Sequence, residues 1–426
     1  MPLMLWEKVR SPAPWRSRPD EVNVCSTKIS FPFAGIGGPN RAAIEGGWLH
    51  EPVNVLDWDA KCIEVLNELH GAGVAKQRNI HTYPASSWEP SDGLMAGSPC
   101  VAFSCIGRRG GFDTPEGRLF LTLLERVQTL SHGARPLRWC VLEMVKGIQS
   151  SENGSNPLSF LKEWWAREMP HWTDLAVWSL CATKAGLPQR RQRLFLVAFS
   201  RDFADLVGGL PEKPEEMPMA PLEGFLEVSG MYDVPSKGSN NERHLAAYQK
   251  KFREALQGVA PPSYAIMDLS RDPTKITFSN QLNKDVCPTL TTHNRDLYIL
   301  AAIPNSQVPA GGRYLSGRER ARLSGVVHDS CAGVLSSAQL IKGNGNCIPV
   351  DLAGRVLEQV MGCWLKFERR IVELHLGVLA PGASQLPYDS DQDDAEEAAD
   401  SEPQWPRRKR AYSMARPCRA KRCSYF

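Results

Sequence analysis

The sequence predicts an α/β protein, a doubly wound sheet followed by a second, smaller domain. Three observations carry this. From about residue 28 to 200, short apolar runs alternate with stretches of helical period, the pattern of strands crossed by helices. A glycine turn, Phe33-Ala-Gly-Ile-Gly-Gly38, joins the first run to the first helix. After Phe199 the texture changes to Pro-rich turns and short β-like pieces, with 11 basic and 14 acidic residues over 201–300.

In chain order, residues 1–27 are rich in Pro, Arg and Ser without period and read as an arm. The predicted strands of the first domain, 28–200, are Lys28 to Phe33, Val53 to Leu56, Gly93 to Ala96, Trp139 to Leu142 and Arg193 to Phe199. Helices are expected over Arg41 to Glu45, Asp59 to Leu69 and Phe120 to Leu130, where apolar residues recur every three or four positions. The second domain covers 201–312 and ends on a β-like piece, Pro288 to Thr292. Residues 313–377 hold two further helices, Ser316 to Leu323 and Val350 to Trp364, that return to the sheet. From 378 on, eight acidic residues between Asp389 and Glu402 precede eight basic ones between Arg407 and Arg422, and the lack of core formers predicts a disordered tail.

A net charge of +3 neither demands nor excludes a nucleic-acid partner, so that question rests on local motifs. None of the twelve cysteines forms a CxxC pair, which argues against a zinc module and for reduced, mostly buried thiols. No run approaches 18 apolar residues, and Glu7 and Pro12 interrupt the start before a signal-peptide core forms. A soluble, intracellular protein is expected.

Several residues carry chemistry by type and position. The glycine turn lets backbone approach a ligand at a helix N-terminus. Asp57 ends the next strand and is an acceptor for ribose hydroxyls; Trp58 beside it has an indole suited to cover an adenine. Together they favour a nucleoside-containing cofactor, with Asn79 and Ile80 further along the same rim. Cys100 follows proline at a strand end and precedes Gly107-Arg-Arg-Gly-Gly-Phe112, a basic, glycine-hinged loop, a setting that suits a nucleophilic thiolate or, equally, houses an inert thiol. Glu143 ends an apolar strand, where a carboxyl is costly unless paired or functional. Arg191 and Arg193 alternate at the start of a strand and would face one side.

Taken in order, these pieces resemble the DNA (cytosine-5) methyltransferase family over about 29–200 and again about 313–361. Phe33 to Gly38 is similar to the family's cofactor loop, Pro99-Cys100 to its Pro-Cys motif, Glu143-Met-Val145 to its Glu-Asn-Val motif, and Gln189 to Arg193 to its Gln-x-Arg-x-Arg motif. Arg313 to Leu323 resembles its late Arg-Glu helix, and Gly345-Asn-Cys-Ile-Pro349 its Gly-Asn-x-x-Pro motif. The resemblance implies a Rossmann-like methyltransferase sheet using S-adenosylmethionine, a target-recognition domain at 201–312, and duplex DNA with one base flipped out as partner. It implies Cys100 as nucleophile, with Glu143, Arg191 and Arg193 as its catalytic companions. The implied cofactor contacts are Phe33, Gly35, Ile36, Gly37, Gly38, Asp57, Trp58, Asn79, Ile80, Pro99, Leu119, Asn346 and Ile348; no metal is implied. Arg108, Arg109, Arg318, Arg320 and Arg322 are expected phosphate contacts.

Departures from the family pattern set further expectations. Val101 replaces Gln after Pro-Cys, and Met144 replaces the Asn that braces the nucleophile loop, so weakened catalysis is expected, because methionine donates no hydrogen bond. These two changes also suggest an impaired regulatory homologue. An RNA cytosine-5 methyltransferase of the same fold would share the catalytic residues, but the Cys-Phe-Thr tripeptide of the tRNA-modifying branch is missing. A nicotinamide oxidoreductase fails on glycine spacing, since no third glycine follows Gly35 and Gly37 where required. The basic tail predicts a nuclear location in a eukaryotic host and a cytoplasmic one otherwise.

Overall fold

The computed structural model describes residues 26–99, 101–104, 110–150, 156–228, 234–275, 282–292, 296–305, 307–326, 331 and 333–375. The predicted arm up to 25, Cys100, Arg108, Arg109 and the predicted tail lie outside them.

The first half alternates as expected: β1 (Thr27–Pro32), α1 (Gly38–Glu45), β2 (His50–Asp57), α2 (Ala60–His70), β3 (Ala75–Gln77), β4 (Gly93–Gly97), α3 (Pro115–Ser131), β5 (Trp139–Val145) and α4 (Pro157–Glu168). A hairpin, β6 (Ala176–Cys181) and β7 (Gln192–Phe199), and α5 (Arg201–Val207) follow. Among the described residues the strands form a seven-stranded sheet of order β3-β2-β1-β4-β5-β7-β6. Neighbours from β3 to β5 are parallel; β7 is antiparallel to both β5 and β6.

Side chains of β5 and β7 show why the sheet is covered on both sides. Trp139, Val141, Phe195, Val197 and Phe199 enter one core, with residues of α1, α2 and α5. Their strand neighbours Cys140, Leu142, Met144, Leu194, Leu196 and Ala198 enter the other, with α3 and α4. Period-two alternation between two apolar layers makes a continuous apolar run. Local chemistry starts the helices: Thr114 accepts from Gly117 N at 3.0 Å ahead of Pro115, and Asn156 accepts from Leu158 N at 3.0 Å ahead of Pro157. Once started, α3 buries Phe120, Leu123, Leu124, Val127 and Leu130, each worth about 1.5–3 kcal/mol when fully withdrawn from water.

The second sheet is small and antiparallel, of order β11-β10-β8-β9, from β8 (Tyr264–Asp268), β9 (Asn283–Lys284), β10 (Leu297–Ala301) and β11 (Arg313–Tyr314). α6 (Asn240–Leu256) covers it, placing Tyr248 and Phe252 on Ala265, Met267, Tyr298 and Leu300. Three helices follow among the described residues: α7 (Gly317–Leu323), α8 (Ser337–Asn346) and α9 (Val350–His375).

Four details differ from expectation. Packing does not break at residue 200, because the Phe203 ring of α5 packs against Phe199, edge to face, and against Trp364 and Phe367 within the first core. β11 extends the small sheet past residue 312. Pro288 to Thr292 is no strand; an isolated bridge, Gln189 to Cys287, precedes it. Finally, α9 runs eleven residues beyond Trp364, its apolar face lying along α1 and α5.

Candidate active site

The sheet order reverses between β1 and β4, so the loops leaving their carboxyl ends diverge and open a crevice, the usual ligand position in such sheets. The glycine turn leaves β1 there. Phe33, Gly35 and Gly37 all have positive φ (54°, 55° and 85°), a conformation that costs a bulky residue energy and marks a constrained loop. Above Gly35 a β-carbon would meet nothing within 4 Å, so backbone there lies open to a ligand. Gly38 and Ile36 turn the other way. A β-carbon on Gly38 would stand 2.1 Å from the Ile348 carbonyl oxygen, and Ile36 is buried against Gly343. These two therefore join the turn to the C-terminal elements instead of facing the crevice.

Asp57 holds this rim together. One carboxylate oxygen accepts from Gly35 N at 2.8 Å and the other from Asp59 N at 2.9 Å, with the Trp58 backbone N–H a further donor to the same group. Burial raises its pKa above the ordinary carboxylate value, and the backbone donors of Asp59 and Gly35 oppose that shift. Trp58 is 71% exposed, with its indole open to solvent. Asn79 is exposed, and its amide oxygen accepts from His81 N. Ile80 is buried in the α3-side core, so its side chain does not reach the rim. Pro99 and Leu119 are half-buried, Leu119 against that same core. Asn346 is exposed at the end of α8.

A second group stands at the ends of β4, β5 and β7. Glu143 and Arg193 form a buried ion pair, Nε to Oε1 at 2.7 Å, with 7% and 10% of their side chains exposed. A β-carbon on Gly97 would lie 2.9 Å from both Glu143 Oε2 and Ile348 Cδ1, so the acid, the strand preceding Pro99 and the C-terminal motif meet at one point. Cys100 itself lies outside the described residues. Ser98, two positions earlier, is buried, and its hydroxyl donates to the Met144 sulfur at 3.5 Å. Met144 is fully buried in the α3-side core, and its sulfur accepts a bond where the expectation counted only a lost donor.

Arg191 does not stand beside Arg193. It precedes β7, is buried, and donates to the carbonyls of Leu290 (2.7 Å), Gly345 (2.9 Å) and Cys347 (2.7 Å). Its guanidinium ties the start of β7 to the segment around Leu290 and to the end of α8. Arg320 is likewise corrected as a phosphate contact: it is 1% exposed, and burial lowers its pKa. Arg322 pairs with Glu227 at 3.5 Å, whereas Arg318 is exposed.

Burial also pushes up the thiols of Cys140, Cys287 and Cys347, the last two to about 12, which makes them poor nucleophiles. Among the described residues no His, Cys, Asp or Glu cluster could hold a metal, and no helix is long and apolar enough to cross a membrane. Ser98 and the contact of Ile348 with Gly97 escaped sequence reasoning, since neither residue type signals chemistry alone.

The profile of the family described as C-5 cytosine-specific DNA methylase matches residues 29–362. The chain is 26% identical over 331 residues to the type II methyltransferase M.DsaV of Dactylococcopsis salina, covering 77% of this chain and 84% of that protein. It is 24% identical over 343 residues to M.FnuDI of Fusobacterium nucleatum, covering 78% and 94%. Among solved structures, the Entamoeba histolytica methyltransferase EhMeth aligns with a TM-score of 0.55 at 11% identity, over 79% of this chain and 98% of that one. At that identity the structural likeness speaks for the fold alone.

Proposed function

Because the chain belongs to the C-5 cytosine-specific DNA methylase family, whose methyl donor is S-adenosylmethionine, we propose that it methylates C5 of cytosine in DNA through a covalent adduct of Cys100 with a base turned out of the duplex. The observation that carries this reading is the buried Glu143–Arg193 pair at the end of β5, beside the strand that leads into Pro99-Cys100.

The rim fits the donor: open backbone at Gly35, the Asp57 carboxylate beside it, and an exposed indole at Trp58. Phe33, Gly35, Gly37, Asp57, Trp58, Asn79, Pro99, Leu119 and Asn346 would hold it. Bound there, it supplies an electrophilic methyl group on a sulfonium centre. Cytosine C5 is a poor nucleophile until something adds to C6. The Cys100 thiolate makes that addition, and Glu143 hydrogen-bonds N3 and supplies the proton that keeps charge from building up on the ring. Arg193, oriented by Glu143, donates to O2. C5 then takes the methyl group; loss of the C5 proton to water, return of the N3 proton to the Glu143 carboxylate and breaking of the S–C6 bond restore the Cys100 thiolate. C6 is inaccessible in stacked duplex, so the base leaves it at a cost of a few kcal/mol. The small antiparallel sheet and its connections, which include β11 just past 312, serve target recognition.

DNA containing 5-fluorocytosine, incubated with S-adenosylmethionine, should trap a covalent complex with wild type and none with Cys100→Ser. An adduct that persists in Cys100→Ser and disappears in Cys105→Ser would overturn the assignment. Tritiated donor with DNA and with tRNA in parallel decides the nucleic acid, and label in tRNA alone would refute DNA as substrate.

A further inference from the structure

Lys342 lies on α8, far in sequence from the nucleoside rim, yet its ammonium group stands 3.4 Å from Asp59 Oδ2 and 6.0 Å from the centroid of the Trp58 ring. Two packing facts bring it there. Gly343, the next residue, is pressed on Ile36 of the glycine turn, where a β-carbon would come within 2.8 Å of Ile36 Cγ2; any larger residue would hold α8 away. Asp59 is fixed as the cap of α2, accepting from Lys61 N at 3.0 Å, while its own N–H donates to Asp57. The carboxylate that receives Lys342 is thus oriented by the helix cap, and the Trp58 carbonyl accepts from the Gln77 side-chain amide at 2.9 Å. Trp58, though 71% exposed, therefore has a tethered backbone and a cation over its ring.

We infer that Lys342 is a positioning residue of the cofactor site: tied to Asp59, it holds the Trp58 indole in the orientation that receives the adenine of S-adenosylmethionine. This rests on the reading of the rim given above. An ammonium group over an indole is attracted by the ring's negative face and restricts its rotamers, so less freedom remains to be lost when adenine stacks. Because the group acts at the adenine end, donor and demethylated product should feel it equally. Because Lys342 and Asp59 are partly exposed, salt should weaken the effect.

Calorimetric titration of the full chain with S-adenosylmethionine and with S-adenosylhomocysteine tests this. Lys342→Met should weaken both by about two- to fivefold at low salt, and Lys342→Arg should restore binding, since guanidinium also stacks on indole. High salt should bring wild type towards Lys342→Met. The quenching of tryptophan emission on binding, assigned to Trp58 by its loss in Trp58→Phe, should shrink in Lys342→Met and return in Lys342→Arg. Wild type that binds both ligands, with Lys342→Met binding them as tightly and with the same quenching, would overturn the role of Lys342 alone. Wild type that binds neither would overturn the cofactor reading itself.

Discussion

Met144 occupies the position where the family pattern has asparagine, and its surroundings decide what restoring that residue would do. The side chain is fully buried in an apolar core, and its sulfur accepts from the Ser98 hydroxyl. An asparagine there would keep the Ser98 bond through its amide oxygen but would bury an NH2 group among apolar atoms, at a cost of about 1–3 kcal/mol. Met144→Asn is therefore expected to lower the thermal midpoint without raising turnover, as scanning calorimetry and single-turnover methylation would establish together; faster turnover at unchanged stability would show that the site is not repacked. Ser98→Ala removes only a weak bond to sulfur. Its expected effect is a turnover loss of roughly fivefold or less, from a bond worth at most about 1 kcal/mol, with substrate affinity unchanged.

At the scale of elements, Arg191 joins the start of β7 to the segment around Leu290 and to the end of α8, three pieces far apart in the chain. Arg191→Met would take this donor from the carbonyls of Leu290, Gly345 and Cys347, so a loss of roughly 3 kcal/mol or more is expected on denaturant unfolding. Lysine should not rescue it, because one ammonium group does not reproduce the fork that spans three acceptors. The contact between α1 and α2 gives a pH effect of definite sign. His70 Nε2 lies 2.8 Å from the Asn40 amide nitrogen. Burial, with the nearby charges of His50 and Arg41, lowers its pKa to about 4 from an ordinary 6.5. Between these values the unfolded chain binds the proton that the folded one refuses, so stability present above about pH 6.5 is lost as pH falls towards 4. Urea midpoints across that range should decline in wild type and decline less in His70→Gln.

For the whole molecule, the core on the α1 side of the sheet depends on residues far apart in the chain. α9 contributes Val350, Leu352, Val356, Leu357, Val360, Met361 and Trp364 to the core that holds β1, α1 and α2. Ending the chain after residue 335 would expose those surfaces, a loss far above the few kcal/mol by which domains are stable. The expected outcome is loss of the cooperative melting transition together with loss of S-adenosylmethionine binding, followed by near-ultraviolet circular dichroism and calorimetry. A truncated chain that melts cooperatively would show that the C-terminal helices are dispensable to the fold.

The amino-acid sequence by itself determined the alternation of strands and helices through period-two and helical patterns, and it singled out Glu143, Arg193, Asp57, Trp58 and the glycine turn through residue types costly or unusual at strand ends. It placed the helices over 59–69 and 350–364 from apolar spacing, but not the end of α9, because the helix continues past Trp364 where Phe367 still packs on Phe203. It could not separate the two arginines of Gln189 to Arg193. Both have the same charge and alternate spacing, and only the arrival of Leu290, Gly345 and Cys347 turns one of them into a clamp. Ile348 beside Glu143, Lys342 beside Trp58 and the burial of Arg320 were likewise decided by tertiary structure. Periodicity reports which face of an element is apolar; which distant element that face will meet depends on how the sheet orders its strands and where α8 and α9 return to it.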